Sequence, residues 1–320
     1  MSGKVFSEEH LNHVAFPLGG IGAGMICIEG SGAISHVSVR NRPDVFNEPM
    51  IFSALHLRNV EDGTRVLEGP VPDWKITTPW HPSPPGSGRG CGGKTYGLPR
   101  FAAAEFTSAF PFAQIRLNDR HLPVSVLVTA WSPFVPGDED ASSLPVAAIE
   151  YQLENGSAQR VSGVLSFHAV NFMSSGKAEH CSVRRTNSGF VLENRGDTDA
   201  PHTAGSFCAS VDDPETSVNC SWFRGWGYFD KLSVLWRQVE RGETPEADGP
   251  PEGRPSPGGS LAVPFSLDAG ESRSIRLRLC WYVPVTDLSF GHDLDNCTHS
   301  ADADSCSCSS PTDHYHRPWY

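Results

Sequence analysis

The sequence predicts an all-β protein, a large antiparallel β-sandwich or supersandwich with long Pro/Gly-rich loops. Three observations carry this. The 320 residues include 31 Gly and 26 Pro, which is too much punctuation for a helix-rich chain and suits many short strands joined by turns. About a dozen short apolar or alternating runs recur at even spacing. No stretch sustains a 3.6-residue hydrophobic period. The length suffices for one large all-β domain with a substantial core.

The strands are expected in the following order. Met25-Ile-Cys-Ile28 is an apolar run after a glycine-rich turn. Residues 34–43 alternate between His36 and Arg40 and stop at Pro43, as a half-buried strand does. Met50–Leu57 reads as a strand that turns at Glu61-Asp62-Gly63 to form a hairpin with Arg65-Val66-Leu67. Pro70–Pro99 is a long surface loop dense in Pro and Gly. Phe101–Phe106, Phe112–Leu117 and Val124–Trp131 follow in close order, and Pro133–Ser143 is an acidic loop. Val146–Leu153 and Val161–Ala169 are joined by Glu154-Asn155-Gly156-Ser157, and Asn-Gly between apolar runs predicts a hairpin. Phe190–Leu192, Ser206–Val211 and Lys231–Trp236 come next as strands. Glu240–Gly259 is a loop rich in Pro, Gly and Glu. Leu261–Leu267 and Ser274–Tyr282 close the pattern around a turn at 267–271.

Composition excludes several function classes. A net charge of −12 argues against nucleic acid, which needs clustered Lys and Arg. No run of 18 apolar residues is present, so no transmembrane segment is expected. The first 16 residues are partly acidic and lack the apolar core of a secretory signal. Nine scattered cysteines, with 27, 181, 208 and 280 in strand-like runs, read as free thiols in a reducing compartment, hence a cytoplasmic protein.

Four glycines, Gly19, Gly20, Gly22 and Gly24, surround Ile21 in the stretch Phe16–Gly24. The dinucleotide fingerprint needs G-x-G-x-x-G between strand and helix; here the spacing is Gly20-x-Gly22-x-Gly24, with an apolar, strand-like run after it. The Lys-Ser/Thr of a phosphate loop is absent as well. The stretch is therefore a tight turn pressed against another surface, a docking loop, and no cofactor is expected. Paired carboxylates at Asp138-Glu139-Asp140 and Asp212-Asp213 sit in polar turns without an apolar frame to raise a pKa, and Glu150 has no sequence partner. His292, Cys297, His299, Cys306, Cys308, His314 and His316 crowd the tail, but Cys306-x-Cys308 is shorter than structural zinc spacing, so no metal is assigned. Trp222, Trp226 and Tyr228 fall in the most aromatic stretch and are a candidate sugar platform, or core. No G-x-S-x-G supports serine nucleophile chemistry.

Three blocks in order carry a family resemblance. The first is Phe16–Gly24 with Gly30-Ser-Gly32 and the strand ending Asn41-Arg42-Pro43. The second is Phe110-Pro-Phe-Ala113, Leu122-Pro-Val124, Trp131-Ser-Pro-Phe-Val-Pro136 and Asp140-Ala-Ser-Ser-Leu-Pro-Val146, running to Glu154-Asn155. The third runs from Leu235-Trp236 through Gly270-Glu271 to Cys280-Trp-Tyr-Val-Pro284. Together they resemble the N-terminal domain of glycoside hydrolase family 116, which includes the non-lysosomal glucosylceramidase and bacterial β-glucosidases. The resemblance implies a β-sandwich at 14–285, after an extension at 1–13 and before a polar linker at 286–320. It also implies a partner, an (α/α)6 barrel acting on β-glucosides or glucosylceramide with a carboxylate nucleophile and an acid/base about 5 Å apart. No residue here matches those two, so no catalytic residue is assigned. The chain reads as a truncated or split part of such an enzyme, inactive alone. It is expected to expose the apolar surface that meets the barrel and to self-associate. A stand-alone carbohydrate-binding or scaffolding module is the alternative.

Overall fold

The computed structural model describes residues 3–45, 47–77, 95–175, 177–225, 230–250, 254–287 and 315–316. The first strands are β1 (Lys4–Ser7), β2 (Ala15–Leu18), β3 (Met25–Glu29), β4 (Ile34–Ser38), β5 (Ile51–Leu57) and β6 (Thr64–Val66). A short helix α1 (Asp73–Thr77) precedes β7 (Ala103–Ala109), β8 (Phe112–Asn118) and β9 (Val124–Trp131). A one-turn helix α2 (Glu139–Ser142) leads to β10 (Val146–Asn155) and β11 (Val161–Val170). Then come β12 (Cys181–Thr186), β13 (Gly189–Asn194), β14 (Gly205–Val211) and β15 (Ser217–Asn219). Helix α3 (Lys231–Glu240) is followed by β16 (Gly258–Leu267), β17 (Ser272–Tyr282), β18 (Val285–Thr286) and β19 (Tyr315–His316).

Two sheets form the sandwich. One has nine strands in the order β1-β7-β8-β9-β10-β17-β14-β13-β12, the other five in the order β15-β16-β11-β5-β6. All described pairings within them are antiparallel. A three-stranded sheet β2-β3-β4 stands beside them. The nine-stranded sheet shows the period of two that its sequence carries. In β8, β9 and β17 every second residue is buried and the rest face outward. Phe106, Ile115, Val128, Ile149 and Leu277 meet Leu55, Leu165, Phe167 and Val263 of the five-stranded sheet in one core.

The five-stranded sheet is buried on both faces. In β5, odd positions such as Leu55 and Leu57 enter the main core, while Phe52 and Ala54 enter a second cluster with Trp222, Leu232, Leu235, Trp236 and Val239. Helix α3 supplies that second cover. It corrects the expectation of a strand at Lys231–Trp236. Leu232, Leu235, Trp236 and Val239 stand at i, i+3, i+4 and i+7, and only the ten-residue window shows this stripe. Asp230 caps the helix by accepting from the Ser233 amide at 2.9 Å.

The hairpin expected across Asn155-Gly156 is also corrected. β10 pairs with β9 and β17, whereas β11 pairs with β5 and β16, so residues 156–160 cross between the sheets. A two-residue Asn-Gly hairpin needs positive φ at both residues, and neither Asn155 nor Gly156 has it. The Asn155 amide is used differently. It donates to the carbonyls of Gln159 (2.7 Å), Leu267 (3.2 Å) and Asp268 (3.0 Å), and its oxygen accepts from Ser157. It thereby ties this crossing to the second one, between β16 and β17. Asn155 is fully buried, so Asn155→Ala removes all of these side-chain bonds at once, leaving Ser157 Oγ on the Gln159 carbonyl and the Glu271 amide on the Asp268 carbonyl. The expected loss is about 3 kcal/mol, read as a lower urea midpoint. An unchanged midpoint would show that water replaces the amide.

The strand expected to alternate from His36 to Arg40 ends at Ser38 and is buried at Ile34, Ser35, Val37 and Ser38 alike. A bulge between Met25 and Cys27 and a positive φ of 49° at His36 turn it out of simple alternation. The expected β5–β6 hairpin is present, with Leu55 opposite Arg65. Of the Pro70–Pro99 loop, the ends contain α1 and a 3-10 turn at Thr95–Gly97; residues 78–94 lie outside the described residues.

Candidate functional site

The glycine stretch links β2 to β3, whose register sets Leu18 opposite Ile26. Its backbone is held at close range by three distant segments. The Gly19 amide donates to Ser132 Oγ at 2.6 Å, and the Ile21 amide donates to the Ser142 carbonyl at 2.9 Å. Trp281 Nε1 donates to the Ala23 carbonyl at 2.6 Å, and the Trp281 amide donates to the Pro145 carbonyl at 3.0 Å.

Three of the glycines, Gly19, Gly20 and Gly24, leave no room for a Cβ, and Gly19 and Gly24 also have positive φ. A Cβ on Gly20 would lie 2.3 Å from the Leu144 carbonyl oxygen, although its φ is unexceptional. Gly24 has φ +83° and would meet the Ser38 carbonyl oxygen at 2.7 Å. Gly22, by contrast, faces open space. The loop is thus clamped at Gly19, Gly20 and Gly24 and presents Ile21 and Gly22 outward. A cleft of about 400 Å³ runs from this loop to Asn41, Arg42 and Pro43.

The same end of the sandwich carries exposed apolar side chains. Ile21 is 63% exposed, Phe110 66%, Phe134 41%, Val135 47% and Leu144 48%. Two of them touch, and hydrogen bonds join the segments that carry Ile21, Val135 and Leu144. The rings of Phe110 and Phe134 pack edge to face at 4.9 Å. The Val135 amide donates to Ser142 Oγ at 2.9 Å, and the Ser142 carbonyl holds Ile21. Residues 16–24, 131–146 and 281 therefore meet at one rim, although they are far apart in the chain.

The carboxylates singled out from the sequence are not brought together. Asp138 caps α2 by accepting from the Ala141 amide. Asp212 pairs with Arg278 at 2.6 Å, Asp213 with Arg273 at 2.5 Å and Glu150 with Arg276 at 2.8 Å. Glu29 and Glu48, which sequence reasoning missed, do converge, at 2.7 and 2.9 Å from Lys75 Nζ. That one ammonium offsets one of their two charges. Burial would lower the Lys75 pKa, but the two carboxylates outweigh it and lift it above the ordinary value.

A buried serine–histidine arrangement was likewise not foreseen. His168 Nδ1 lies 2.7 Å from Ser260 Oγ and Nε2 lies 2.8 Å from Ser166 Oγ. Burial pushes the His168 pKa down to about 3, which favours the neutral ring. Trp222 joins this network by donating from Nε1 to Ser260 Oγ at 2.8 Å. Its ring belongs to the cluster under α3 and offers no platform to solvent. Trp226 and Tyr228 lie outside the described residues, as do His292, Cys297, His299, Cys306, Cys308 and His314. Among the described residues, no group of three His, Cys, Asp or Glu side chains is arranged to hold a metal ion. No helix among them is long and apolar enough to cross a membrane.

The family described as beta-glucosidase 2, glycosyl-hydrolase family 116 N-term, matches residues 15–320. No curated protein sequence matches. Among solved structures, the chain is similar to a protein described as a kojibiose phosphorylase from the human microbiome. The identity is 9% and the TM-score 0.34, over 87% of this chain and 25% of that one. It is similar also to the polysaccharide lyase BACCELL_00875, at 12% identity and TM-score 0.34, over 88% and 33%. The chain thus spans a quarter to a third of the length of those two structures.

Proposed function

The chain belongs to the family of N-terminal domains of glycosyl-hydrolase family 116, and from that membership we propose that it is the non-catalytic sandwich of a β-glucosidase or glucosylceramidase-like enzyme. In this reading residues 14–285 form the domain, 1–13 an extension and 286–320 a linker. Its partner is an (α/α)6 catalytic barrel, in the same polypeptide or in a separate chain, and the assembly works in the cytoplasm on β-glucosides or glucosylceramide. Chemistry resides in the barrel, and the sandwich supports it and shapes its entrance.

One observation carries the reading. The rim of Ile21, Phe110, Phe134, Val135 and Leu144 is built from the segments that carry the family resemblance. Exposed apolar side chains gathered on a rigid frame mark a partner surface. The frame here is rigid because the glycine loop is bonded to Ser132, Ser142 and Trp281. The alternative of a stand-alone sugar-binding module is weakened by the burial of Trp222.

The test is titration calorimetry of this chain against a family 116 catalytic domain. Wild type should bind, and Phe110→Asp with Phe134→Asp should weaken binding at least about tenfold, with an unchanged circular dichroism spectrum. Equal binding by the double variant would remove the rim from the interface. The chain alone should hydrolyse no chromogenic β-glucoside. Turnover that a substitution inside the sandwich abolishes would overturn the non-catalytic assignment.

A further inference from the structure

β14 and β17 are neighbours within the nine-stranded sheet, and their register sets Cys208 directly opposite Cys280. Phe207, Ala209, Leu279 and Trp281 on either side are buried, so both cysteines point from the outer face, where both are half-buried free thiols. Directly opposed residues of an antiparallel pair have Cα atoms about 4.5–5.5 Å apart. A disulfide spans about 4.4–6.8 Å between Cα atoms. The backbone thus already has the spacing that a bridge needs.

The two thiols also act on each other. Hydrogen bonding between them, with the Arg278 guanidinium, holds Cys280 below the usual thiol range. Cys27 and Cys220 are buried, and burial raises them to about 11 and about 12. Cys181 is buried and bonded to Ser174 Oγ. Among the described cysteines, only the 208–280 pair combines access, a facing partner and a depressed thiol.

We propose that Cys208 and Cys280 form a reversible thiol–disulfide modification site whose oxidant is a low-molecular-weight disulfide such as oxidised glutathione. The Cys280 thiolate attacks one glutathione sulfur, and the first glutathione thiolate leaves and takes up the proton that Cys280 lost. Cys208 then gives up its proton and attacks the Cys280 sulfur of the mixed disulfide, releasing the second glutathione, which takes that proton. Two cysteine S–H bonds and one glutathione S–S bond are exchanged for one protein S–S bond and two glutathione S–H bonds. The bridge would fasten β14 to the residue before Trp281, whose indole holds the glycine loop at Ala23. The site is independent of the docking reading above, since its chemistry needs only the sheet.

Purified full chain is incubated with oxidised glutathione, quenched with iodoacetamide and mapped by mass spectrometry of its peptides. A cross-link between the peptides of Cys208 and Cys280, two hydrogens lighter and reversed by dithiothreitol, is expected. The oxidised form should also melt at a higher temperature than the reduced one. Cys208→Ser should stop at a glutathione adduct on Cys280, and Cys280→Ser should form no cross-link at Cys208. Recovery of both cysteines alkylated in the oxidised wild type, or cross-linking only at other cysteines, overturns the proposal. The wild-type map decides the matter even if a serine variant does not fold.

Discussion

Lys75→Met is expected to remove roughly 3–5 kcal/mol of unfolding free energy. Lys75 is 3% exposed and its Nζ lies 2.7 and 2.8 Å from the two oxygens of Glu29 and 2.9 Å from Glu48. Tyr96 donates to the other Glu48 oxygen at 2.7 Å, and Arg100 holds Glu68 at 3.1 Å. The network fastens both ends of the 70–99 segment, α1 and the turn at Thr95–Gly97, to the strands. Methionine fills the space of the lysine stem but leaves the buried Glu29 and the half-buried Glu48 without their cation. Adding Glu29→Gln and Glu48→Gln to Lys75→Met should restore much of the loss, because the desolvated charges go as well. The pH dependence has a definite sign. The folded pKa of Lys75 is raised above its ordinary 10.5, so its contribution is fully present below that value and fades as pH rises through the folded pKa. Wild type should therefore lose stability more steeply in alkali than Lys75→Met does. A urea midpoint for Lys75→Met within about 1 kcal/mol of wild type would sink this account, since a surface pair is worth no more than that.

What was legible in the sequence depended on how local its cause is. The alternation of β8, β9 and β17 is a two-residue period set by one buried face, and it stands in the letters of Phe112–Asn118 as in the structure. Helix α3 was hidden because a six-residue window from Lys231 to Trp236 contains barely one helical repeat; Val239 completes the stripe only outside it. At Asn155-Gly156 the turn chemistry was real but served a different end, since tertiary pairing of β10 with β17 decided which sheet each strand joined. Glu29 ended an apolar run and gave no sign of charge pairing, because its cation is 46 residues away in a region with no regular pattern. The glycine stretch was readable as a turn under pressure from spacing alone. Its contacts, Ser132, Leu144 and Trp281, are distributed over 150 residues and follow only from the fold. The aromatic run at Trp222 shows the reverse limit: composition cannot distinguish a sugar platform from a core when both use the same rings.

The glycine loop supplies the second large effect. Gly20→Val should displace residues 19–24 from the 142–144 segment, because its Cβ would fall 2.3 Å from the Leu144 oxygen and 2.4 Å from the Ser143 carbonyl carbon, both backbone atoms. Neither side can yield without breaking the bonds from Ile21 to Ser142 and from Trp281 to Ala23. Overpacking of this kind costs about 1–3 kcal/mol, and the exposed Ile21 and Leu144 would no longer share one surface. Gly22→Ala separates the two possible causes. Gly22 has φ +73° but nothing within 4 Å of an added Cβ, so alanine there carries only the left-handed strain, about 1–2 kcal/mol. The rim therefore predicts opposite outcomes for binding. Gly20→Val should weaken association with the catalytic domain at least about tenfold, while Gly22→Ala, with a comparable drop in melting temperature, should leave it near wild type. Equal losses of binding in both variants would mean that the loop acts through stability alone. No loss in Gly20→Val would place the interface elsewhere on the sandwich. Because both substitutions fall in one six-residue turn, the contrast isolates the position of the backbone as the property that the glycines preserve.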